Sequence, residues 1–315
     1  MINAGGLELD NPLCLAPLAG ITTLTVREFF SSLGAGLTHT EMISCAGLVR
    51  DNAKTLDMLA VSEHESPLVV QLFASGEKIL CEGAAKVLDS CKKFAALGVN
   101  MACPMPKITR NGSGAALLRR PDEACNMIRG LKGLVNLPVW VKIRKLDDDN
   151  LTLSFIERIL SAGADNICIH GRTPAQRYEG IADREIIRLA AEKFPGYISA
   201  SGDVKTLDDI HEYLSMGSVC VMLARGAFAN AWLFEEFRGI FKTPDKKLDD
   251  LIKFAYLTKN YSGEHRAVVL LKRLAGSMIK SAHGAAELRA RAMLSQNLEE
   301  LIKILCEGVK KNYAC

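Results

Sequence analysis

The run from Gly98 to Lys107, with the sequence GVNMACPMPK, places a cysteine directly after a short apolar stretch. Pro104 and Pro106 cannot continue a hydrogen-bonded strand, so the sequence predicts that a strand ends before Cys103 and that a turn presents its thiol. A thiol at the tip of a strand can reach a ligand, whereas a thiol inside a core usually cannot. The alternative is that Cys103 is a small buried apolar residue, as most free cysteines are.

Eight short apolar runs alternate with amphipathic stretches over the first 230 residues, and they must position this turn. The runs cover residues 13–16, 37–40, 68–72, 99–101, 139–143, 166–169, 197–200 and 219–223. Eight strands that alternate with helices indicate a (β/α)8 TIM barrel of the α/β class. A doubly wound parallel sheet is the alternative, but the turn after the first run, APLAG, lacks the Gly-x-Gly-x-x-Gly fingerprint of that fold.

The spacing of apolar residues becomes purely helical in the last quarter of the chain. Residues 242–247 indicate a linker, and the 3.6-residue period from Leu248 onward indicates a small all-α bundle of about four helices. We therefore predict a barrel domain over residues 1–240, with residues 1–12 as a lead-in, and a helical domain over residues 241–315.

Charge is distributed unevenly between these two parts. The whole chain has a net charge of +3, but residues 1–239 carry −3 and residues 240–315 carry +6. A basic segment on a slightly acidic body favours a polyanionic partner. The alternative is a solvated helical face that carries extra lysines.

The composition argues against several classes of protein. The ten cysteines form no Cys-x-x-Cys motif, which argues against a zinc or iron–sulfur site and favours reduced thiols in a cytosolic protein. No apolar run reaches membrane-spanning length, and the first ten residues lack the pattern of a signal peptide. We therefore expect a cytoplasmic protein without a metal and without a membrane partner. We also expect a monomer, although the sequence itself leaves the oligomeric state open.

The active site of a TIM barrel forms at the carboxyl ends of its strands. The loops after the last two strands commonly hold a phosphate, and here they contain Ser201-Gly202-Asp203 and Ala224-Arg225-Gly226. These runs supply small residues, backbone N–H groups and a cation, so together they favour a phosphate-bearing cofactor. Taken singly, each run has the alternative of an ordinary glycine turn.

Three further polar residues fall on or next to predicted strands. Lys142 lies within the apolar run VWVKI and needs a polar partner, which the pyrimidine oxygen of a flavin would provide. The alternative for Lys142 is an ammonium that reaches water at the rim. His170 could hydrogen-bond a cofactor or substrate, or serve as a structural histidine. Gln71 could bind the edge of a planar heterocycle, or bridge backbone groups.

Several motifs along almost the whole chain resemble the tRNA-dihydrouridine synthase family. They are Pro17-Leu18-Ala19-Gly20-Ile21-Thr22, Asn100-Met101-Ala102-Cys103-Pro104 with Lys107, Val141-Lys142-Ile143-Arg144, His170-Gly171-Arg172-Thr173 with Gln176 and Tyr178, and Ala285-Ala286-Glu287-Leu288-Arg289. Each motif is weak alone, but their order and spacing together are specific. The chain is most similar to the bacterial type, in which a helical domain follows the barrel.

The resemblance implies an enzyme that binds FMN and reduces a uridine of tRNA with NADPH or NADH. It implies that hydride passes from reduced FMN to C6 of the uracil and that Cys103 protonates C5. By position, the FMN contacts would be Pro17, Leu18, Ala19, Gln71, Lys142, His170, Ser201, Gly202, Asp203, Ala224 and Arg225. The substrate contacts would be Asn100, Arg172, Lys107, Arg144, Arg273 and Arg289. The cations that hold tRNA phosphates would come from Arg266, Lys272, Arg273, Lys280, Arg289 and Arg291.

Four positions depart from the family pattern. Ser201 replaces a common Asn, Ala102 and Ala224 replace Gly, and Arg184 replaces Trp. The extra methyl group of Ala224 lies in a loop where backbone must approach phosphate, so we expect weaker FMN binding. Two alternatives stay open. One is an FMN barrel that reduces a free small molecule of the pyrimidine or dihydroorotate type, and the other is a tRNA-binding protein that has lost catalysis.

Overall fold

The computed structural model describes residues 1–91, 93–276 and 285–312. The chain divides into two compact units, Met1–Ala224 and Arg225–Cys315. Residues 225–240 therefore group with the helices of the second unit, whereas the predicted boundary follows residue 240. No described helix combines the length and the apolar character that are needed to cross a membrane.

Parallel strands dominate the described part of the first unit. The strands are β1 (Ile2–Ala4), β2 (Leu7–Leu9), β3 (Leu13–Leu15), β4 (Thr38–His39), β5 (Ile43–Ser44), β6 (Leu68–Phe73), β7 (Ala96–Met101), β8 (Val139–Arg144), β9 (Asn166–His170), β10 (Ile198–Ser201) and β11 (Cys220–Leu223). Eight of them pair in the order β3-β11-β10-β9-β8-β7-β6-β4. A parallel bridge between Cys14 and Leu37 nearly closes the circle. The predicted TIM barrel is confirmed, and each of the eight predicted runs overlaps one of these strands.

The helices of the first unit lie between the barrel strands. They are α1 (Leu24–Ser32), α2 (Cys45–Val49), α3 (Ala53–Leu56), α4 (Glu77–Ser90), α5 (Pro106–Thr109), α6 (Pro121–Leu134), α7 (Asp149–Ser161), α8 (Glu185–Lys193) and α9 (Leu207–Ser215), with short 3₁₀ turns at Asp57–Leu59 and Gly114–Arg119. The longer helices are amphipathic. In α6, for example, Ala124, Met127, Ile128 and Leu131 are buried at the i, i+3, i+4, i+7 spacing.

The predicted lead-in over residues 1–12 precedes the first barrel strand and contains an antiparallel hairpin of β1 and β2. Gly5 and Gly6 both have positive φ, as a two-residue hairpin turn requires. The hairpin packs on the amino-terminal ends of the barrel strands, where the Gly5 carbonyl accepts a hydrogen bond from Trp140 Nε1 at 3.1 Å. The amino-terminal end of the barrel is therefore covered by apolar residues, including Ala4 and Leu9.

Helices are the regular elements of the described part of the second unit. Its helices are α10 (Arg225–Ala229), α11 (Leu233–Glu236), α12 (Pro244–Ser262), α13 (Glu264–Ala275), α14 (Ala285–Leu294) and α15 (Leu298–Asn312). The predicted helical region is confirmed. The predicted linker over residues 242–247 is wrong from Pro244 onward, because a proline at the first position of a helix has a preset φ and loses no hydrogen bond.

Candidate active site

The turn after β7 is built around the side chain of Asn100. Its Oδ1 accepts hydrogen bonds from the N–H groups of Ala102 at 3.2 Å and Cys103 at 3.0 Å. Its Nδ2 donates to Gln71 Oε1 on β6 at 3.0 Å. Asn100 therefore fixes the turn that carries Cys103, and it ties this turn to the neighbouring strand. Gln71 is itself buried, and its N–H donates to Thr40 Oγ1 at 2.9 Å.

Cys103 is 8% exposed and packs against the residues that follow α5. Its carbonyl accepts a hydrogen bond from the N–H of Ala115 at 3.0 Å. Gly114 has a φ of +60°, and a Cβ there would lie 2.7 Å from the Cys103 carbonyl oxygen, so a side chain is excluded. Burial raises the pKa of Cys103 above its ordinary value, although the N–H of Met105 and the charge of Arg144 oppose this. The sulfur is thus a neutral thiol with a proton to donate.

Arg144 is buried beside this turn and binds backbone carbonyls from two loops. Its Nε donates to Ala102 at 3.0 Å, and its Nη1 donates to Thr173 at 3.1 Å and Arg177 at 2.7 Å. The ring of Tyr178 lies 5.5 Å from its guanidinium carbon. Arg144 therefore joins the turn that carries Cys103 to the loop after β9. Its predicted contact with substrate stays a prediction.

Two polar side chains on neighbouring barrel strands, Lys142 on β8 and His170 on β9, each present a polar atom without a partner among the described residues. The register places Lys142 beside Asn100 and Cys168, and it places His170 beside Ser201. Among the described residues, the Lys142 ammonium has no hydrogen-bond or ion-pair partner, and the buried His170 Nε2 has none either. Burial lowers the pKa of Lys142 below its ordinary value.

The environment also keeps His170 uncharged. Burial is the largest cause, the positive charges of Lys142, Arg144 and Arg172 add to it, and together they lower the pKa of His170 to about 2. A neutral imidazole with an unsatisfied nitrogen can donate or accept one hydrogen bond, depending on its tautomer. Lys142 and His170 are therefore poised for a ligand with hydrogen-bonding edges.

The loop after β10 is organised by an ion pair between two predicted ligand-binding residues. Arg172, which is 2% exposed, binds Asp203 through two hydrogen bonds of 3.0 and 2.7 Å. Arg172 also donates to the carbonyls of Glu179 at 2.9 Å and Gly180 at 2.6 Å. Burial works against the Asp203 carboxylate, but hydrogen bonds from Arg172 and the Ala182 N–H outweigh it and lower the pKa of Asp203. The pair therefore braces the loops after β9 and β10.

Gly202 and Tyr213 complete this loop. Gly202 has a φ of +123°, and a Cβ there would lie 2.8 Å from Ala182 Cβ and 2.9 Å from His170 Cδ2. The buried Tyr213 hydroxyl donates to the Gly202 carbonyl at 2.9 Å. Arg184 lies over the Tyr213 ring at 5.1 Å and forms ion pairs with carboxylates of α9. The sequence analysis missed Tyr213, since it is indistinguishable from a core residue of an amphipathic helix.

The turn after β3 contains the remaining predicted cofactor contacts of the first unit, apart from the loop after β11. Pro17 and Leu18 are half-buried, and Ala19 is exposed. The Leu18 N–H donates to Thr22 Oγ1 at 3.0 Å, which tightens the turn. The Gly20 N–H also donates to Glu41 beyond β4. This turn is thus ordered by its own hydrogen bonds at the carboxyl end of the barrel.

The other predicted contacts are more exposed. Ala224 follows β11 and is half-buried, and Arg225 is the exposed first residue of α10 in the second unit. Lys107 is exposed on α5. In the second unit, Arg273 and Arg289 are exposed and form no ion pair with a described residue.

The remaining predicted tRNA contacts differ from these. Lys272 donates to the carbonyls of Met293 and Ser295, and Arg291 pairs with Glu307. Arg266 is half-buried, and Lys280 lies outside the described residues. These contacts make Arg273 and Arg289 the most available cations among the six predicted residues, since Arg266 also has a partner.

Comparison with known sequences identifies the family of this chain. The sequence profile of the dihydrouridine synthase (Dus) family matches residues 14–313. The chain belongs to the dihydrouridine synthase family. Proteins named "Probable tRNA-dihydrouridine synthase" are 34% identical in Rhodobacter capsulatus, over 85% of this chain and 83% of that protein, and 28% identical in Treponema pallidum, over 96% and 95%. Membership of the dihydrouridine synthase family makes the chain a flavin-dependent oxidoreductase.

A solved structure supports the fold of this dihydrouridine synthase family member. DHODH from Eimeria tenella in complex with ferulenol matches with a TM-score of 0.57 and 14% identity, over 83% of this chain and 86% of that one. At this identity the likeness concerns the barrel alone. Among the described residues, no group of three or more His, Cys, Asp or Glu side chains could hold a metal ion.

The barrel residues fit the flavin of a dihydrouridine synthase. The unpaired Lys142 ammonium offers a hydrogen-bond donor to a polar ring edge, and His170 Nε2, which also lacks a described partner, offers a donor or an acceptor according to its tautomer. Gly202 leaves no room for a Cβ beside His170, so backbone rather than a side chain lines that part of the site. Uncharged polar atoms and a cation in one apolar barrel suit a planar heterocycle whose oxygens carry partial negative charge.

Proposed function

We propose that this protein is a tRNA-dihydrouridine synthase that binds FMN and reduces the C5–C6 bond of one tRNA uridine. The observation that carries the proposal is the Cys103 thiol, held by Asn100 at the carboxyl end of a barrel in which the Lys142 ammonium and His170 Nε2 have no partner among the described residues. The names of its relatives supply the substrate class, and the family supplies the flavin. When bound, FMN would supply the hydride for C6, and NADPH or NADH would restore its reduced form.

Cys103 acts as the general acid in this proposal. Hydride addition at C6 places negative charge on C5, and the Cys103 Sγ–H gives its proton to that carbon. The group must be a thiol rather than a thiolate, which the raised pKa of Cys103 favours. The turn must also hold Sγ still, and the two N–H···Oδ1 hydrogen bonds to Asn100 do so.

The other predicted contact residues would bind different parts of the flavin or the tRNA. Lys142, His170 and Gln71 would bind the flavin ring, while Pro17, Leu18 and Ala19 would line it. Ser201, Gly202, Ala224 and Arg225 would face the phosphate, with Asp203 as the brace of that loop. Asn100, Arg144 and Arg172 would shape the uracil site from behind. Lys107, Arg273 and Arg289 would meet the tRNA.

The two parts of the chain would then have different functions. Residues 1–240 would form the catalytic domain, and the basic residues 241–315 would bind tRNA. A uridine must leave its stack to reach a buried thiol. We therefore assign the helical domain as a second surface that binds the folded RNA while the base enters the barrel. We propose a cytoplasmic monomer for this activity, which size-exclusion chromatography with light scattering would test.

The decisive experiment is the mass of a uridine-containing tRNA transcript after incubation with protein, FMN and NADPH. A gain of two hydrogens at one uridine is expected, and fragmentation of the RNA would identify its position. Flavin binding and NADPH consumption without a mass change would favour reduction of a free pyrimidine or dihydroorotate-type compound. Absence of both flavin binding and mass change would favour a tRNA-binding protein without catalysis.

A further inference from the structure

The segment between β7 and α6 concentrates positive charge beside Cys103. Residues 102–120 contain Lys107, Arg110, Arg119 and Arg120 but no Asp or Glu. The rest of the first unit is acidic, with 19 Lys and Arg against 26 Asp and Glu. A wholly cationic segment in an acidic unit is a local feature that the net charge conceals.

Three of these four cations have no side-chain partner among the described residues. Lys107, Arg110 and Arg119 are exposed, and none forms a hydrogen bond through its side chain or an ion pair with a described residue. Arg120 differs, because its Nη1 donates to the carbonyls of Ser75 at 3.2 Å and Gly112 at 3.4 Å. The free cations therefore do not stabilise this part of the fold.

The cations also repel one another. Lys107 and Arg110 are three residues apart at α5, a spacing that places like charges on one side of a helix and destabilises it. Arg119 lies at the end of the 3₁₀ turn that packs on α5 and β7. Such a cluster becomes favourable when a polyanion neutralises it, since phosphate contacts release counterions.

The position of this segment next to Cys103 indicates which polyanion it would bind. In a parallel barrel, every loop from a strand to the next helix lies at the carboxyl end, so these cations lie on the same end of the barrel as Cys103. Ala115 and Gly114 pack directly on Cys103, which keeps the segment next to the thiol. We propose that Arg110 and Arg119, together with Lys107, form a phosphate-binding surface for the RNA backbone that flanks the reduced uridine.

This inference rests on the proposed function, and it adds a tRNA surface within the barrel to the one expected on the helical domain. Its role is to hold the strand on either side of the target base while that base enters the barrel. Backbone contacts of this kind position RNA without reading its sequence. The surface therefore contributes affinity and placement, and it leaves the choice of uridine to the rest of the tRNA contact.

The test compares an Arg110→Gln/Arg119→Gln double variant with Arg129→Gln. Arg129 is also exposed, but it lies eight residues into α6, about 12 Å from that helix start, where α6 runs away from the carboxyl end of the barrel. Binding of the unmodified tRNA transcript to the FMN-loaded protein is measured by fluorescence anisotropy from 50 to 300 mM KCl, and FMN affinity reports correct folding.

We expect the double variant to bind tRNA about tenfold more weakly and to reduce the slope of log K against log salt by about 1 to 2. The Arg129→Gln protein should match the wild type. Equal binding by all three proteins, or equal weakening by both variants, would overturn the surface. Dihydrouridine formation by the wild type is measured separately, so a wild type that reduces tRNA with unaffected variants would refute the surface alone, whereas an inactive wild type would refute the proposed function.

Discussion

Two sets of polar residues at the carboxyl end of the barrel differ in how they are satisfied. The braced residues, Asn100, Arg144, Arg172 and Asp203, bind other parts of the protein through several hydrogen bonds each. The open residues, Lys142 and His170, have no partner among the described residues. The sequence motifs include both sets alike. The difference shows that motif residues at one site can build the site or bind its ligand, and that only contacts separate the two roles.

Cys103 is held by the braced residue Asn100 and would act beside a flavin bound by the open residues. Its substitution should therefore have the largest effect on dihydrouridine formation. Cys103→Ala should lower dihydrouridine formation by about 10²- to 10⁴-fold, the usual contribution of a general acid. FMN affinity should stay within twofold, because Asn100 holds the turn through backbone N–H groups that the variant keeps. The mass of the product RNA and flavin fluorescence would measure the two quantities. Cys125→Ala, at a buried cysteine on α6, is the control.

A braced residue should matter to the protein without flavin. Asp203→Asn leaves the buried Arg172 guanidinium without its counter-charge, so the free energy of unfolding of the apoprotein should fall by about 3 kcal/mol. Urea denaturation followed by circular dichroism would measure it. Arg188→Gln breaks two exposed ion pairs on α8 and should leave the transition unchanged. An unchanged transition in Asp203→Asn would remove Asp203 from the braced residues.

An open residue should behave in the opposite way. Lys142→Met removes a half-buried ammonium without a partner, so apoprotein stability should hold or rise, while FMN should bind at least tenfold more weakly. Lys145→Met is the matched contrast, because Lys145 pairs with Asp149 at 2.7 Å and with Asp183. It should lower stability and leave FMN affinity within twofold. Identical behaviour of the two variants would abolish the distinction between open and braced residues.

Tyr213→Phe tests a residue that would affect the ligand only through its hydrogen bond to the loop after β10. The variant keeps the ring under Arg184 and deletes only the hydroxyl that holds the Gly202 carbonyl. Loss of one such hydrogen bond is worth about 1 kcal/mol, so FMN should bind about fivefold more weakly. Tyr197→Phe removes a hydroxyl from an exposed ring and should change nothing. Equal FMN affinity of Tyr213→Phe and the wild type would show that the hydroxyl does not organise the loop.

The smallest effect concerns pH between 6 and 8. His170 has its pKa lowered to about 2 and stays neutral, and Cys103 has a raised pKa and stays protonated. Neither group changes charge in this range, so the single-turnover rate of uridine reduction should be flat. It should fall at alkaline pH, where the thiol loses the proton it must donate. A rise with pH through neutrality would contradict the role of Cys103 as an acid.

The fold was predictable because its signals are local. Eight apolar runs with helices between them identify a barrel, and the prolines after Cys103 mark the end of β7. The hairpin at Gly5 and Gly6 also had a local signal, since two glycines between short alternating runs indicate a two-residue turn. It was missed because both strands have only three residues.

The division between braced and open residues was not predictable, because the partners are distant in sequence. Arg144 binds carbonyls 29, 33 and 42 residues away, and Arg172 binds Asp203 31 residues away. A backbone carbonyl has no residue type, so no motif can encode it. Lys142 and His170 are open because no described residue binds the Lys142 ammonium or His170 Nε2, and a sequence pattern does not encode an absent contact.

The β1–β2 hairpin has a consequence for the order of events in catalysis. Since it covers the amino-terminal end of the barrel, the nicotinamide reductant and the RNA of the proposed reaction would both use the carboxyl-terminal entrance. Two large reactants that share one entrance would exclude each other, so we expect the reductant to leave before the RNA binds. Steady-state rates measured against both reactants should then give parallel lines in a double-reciprocal plot.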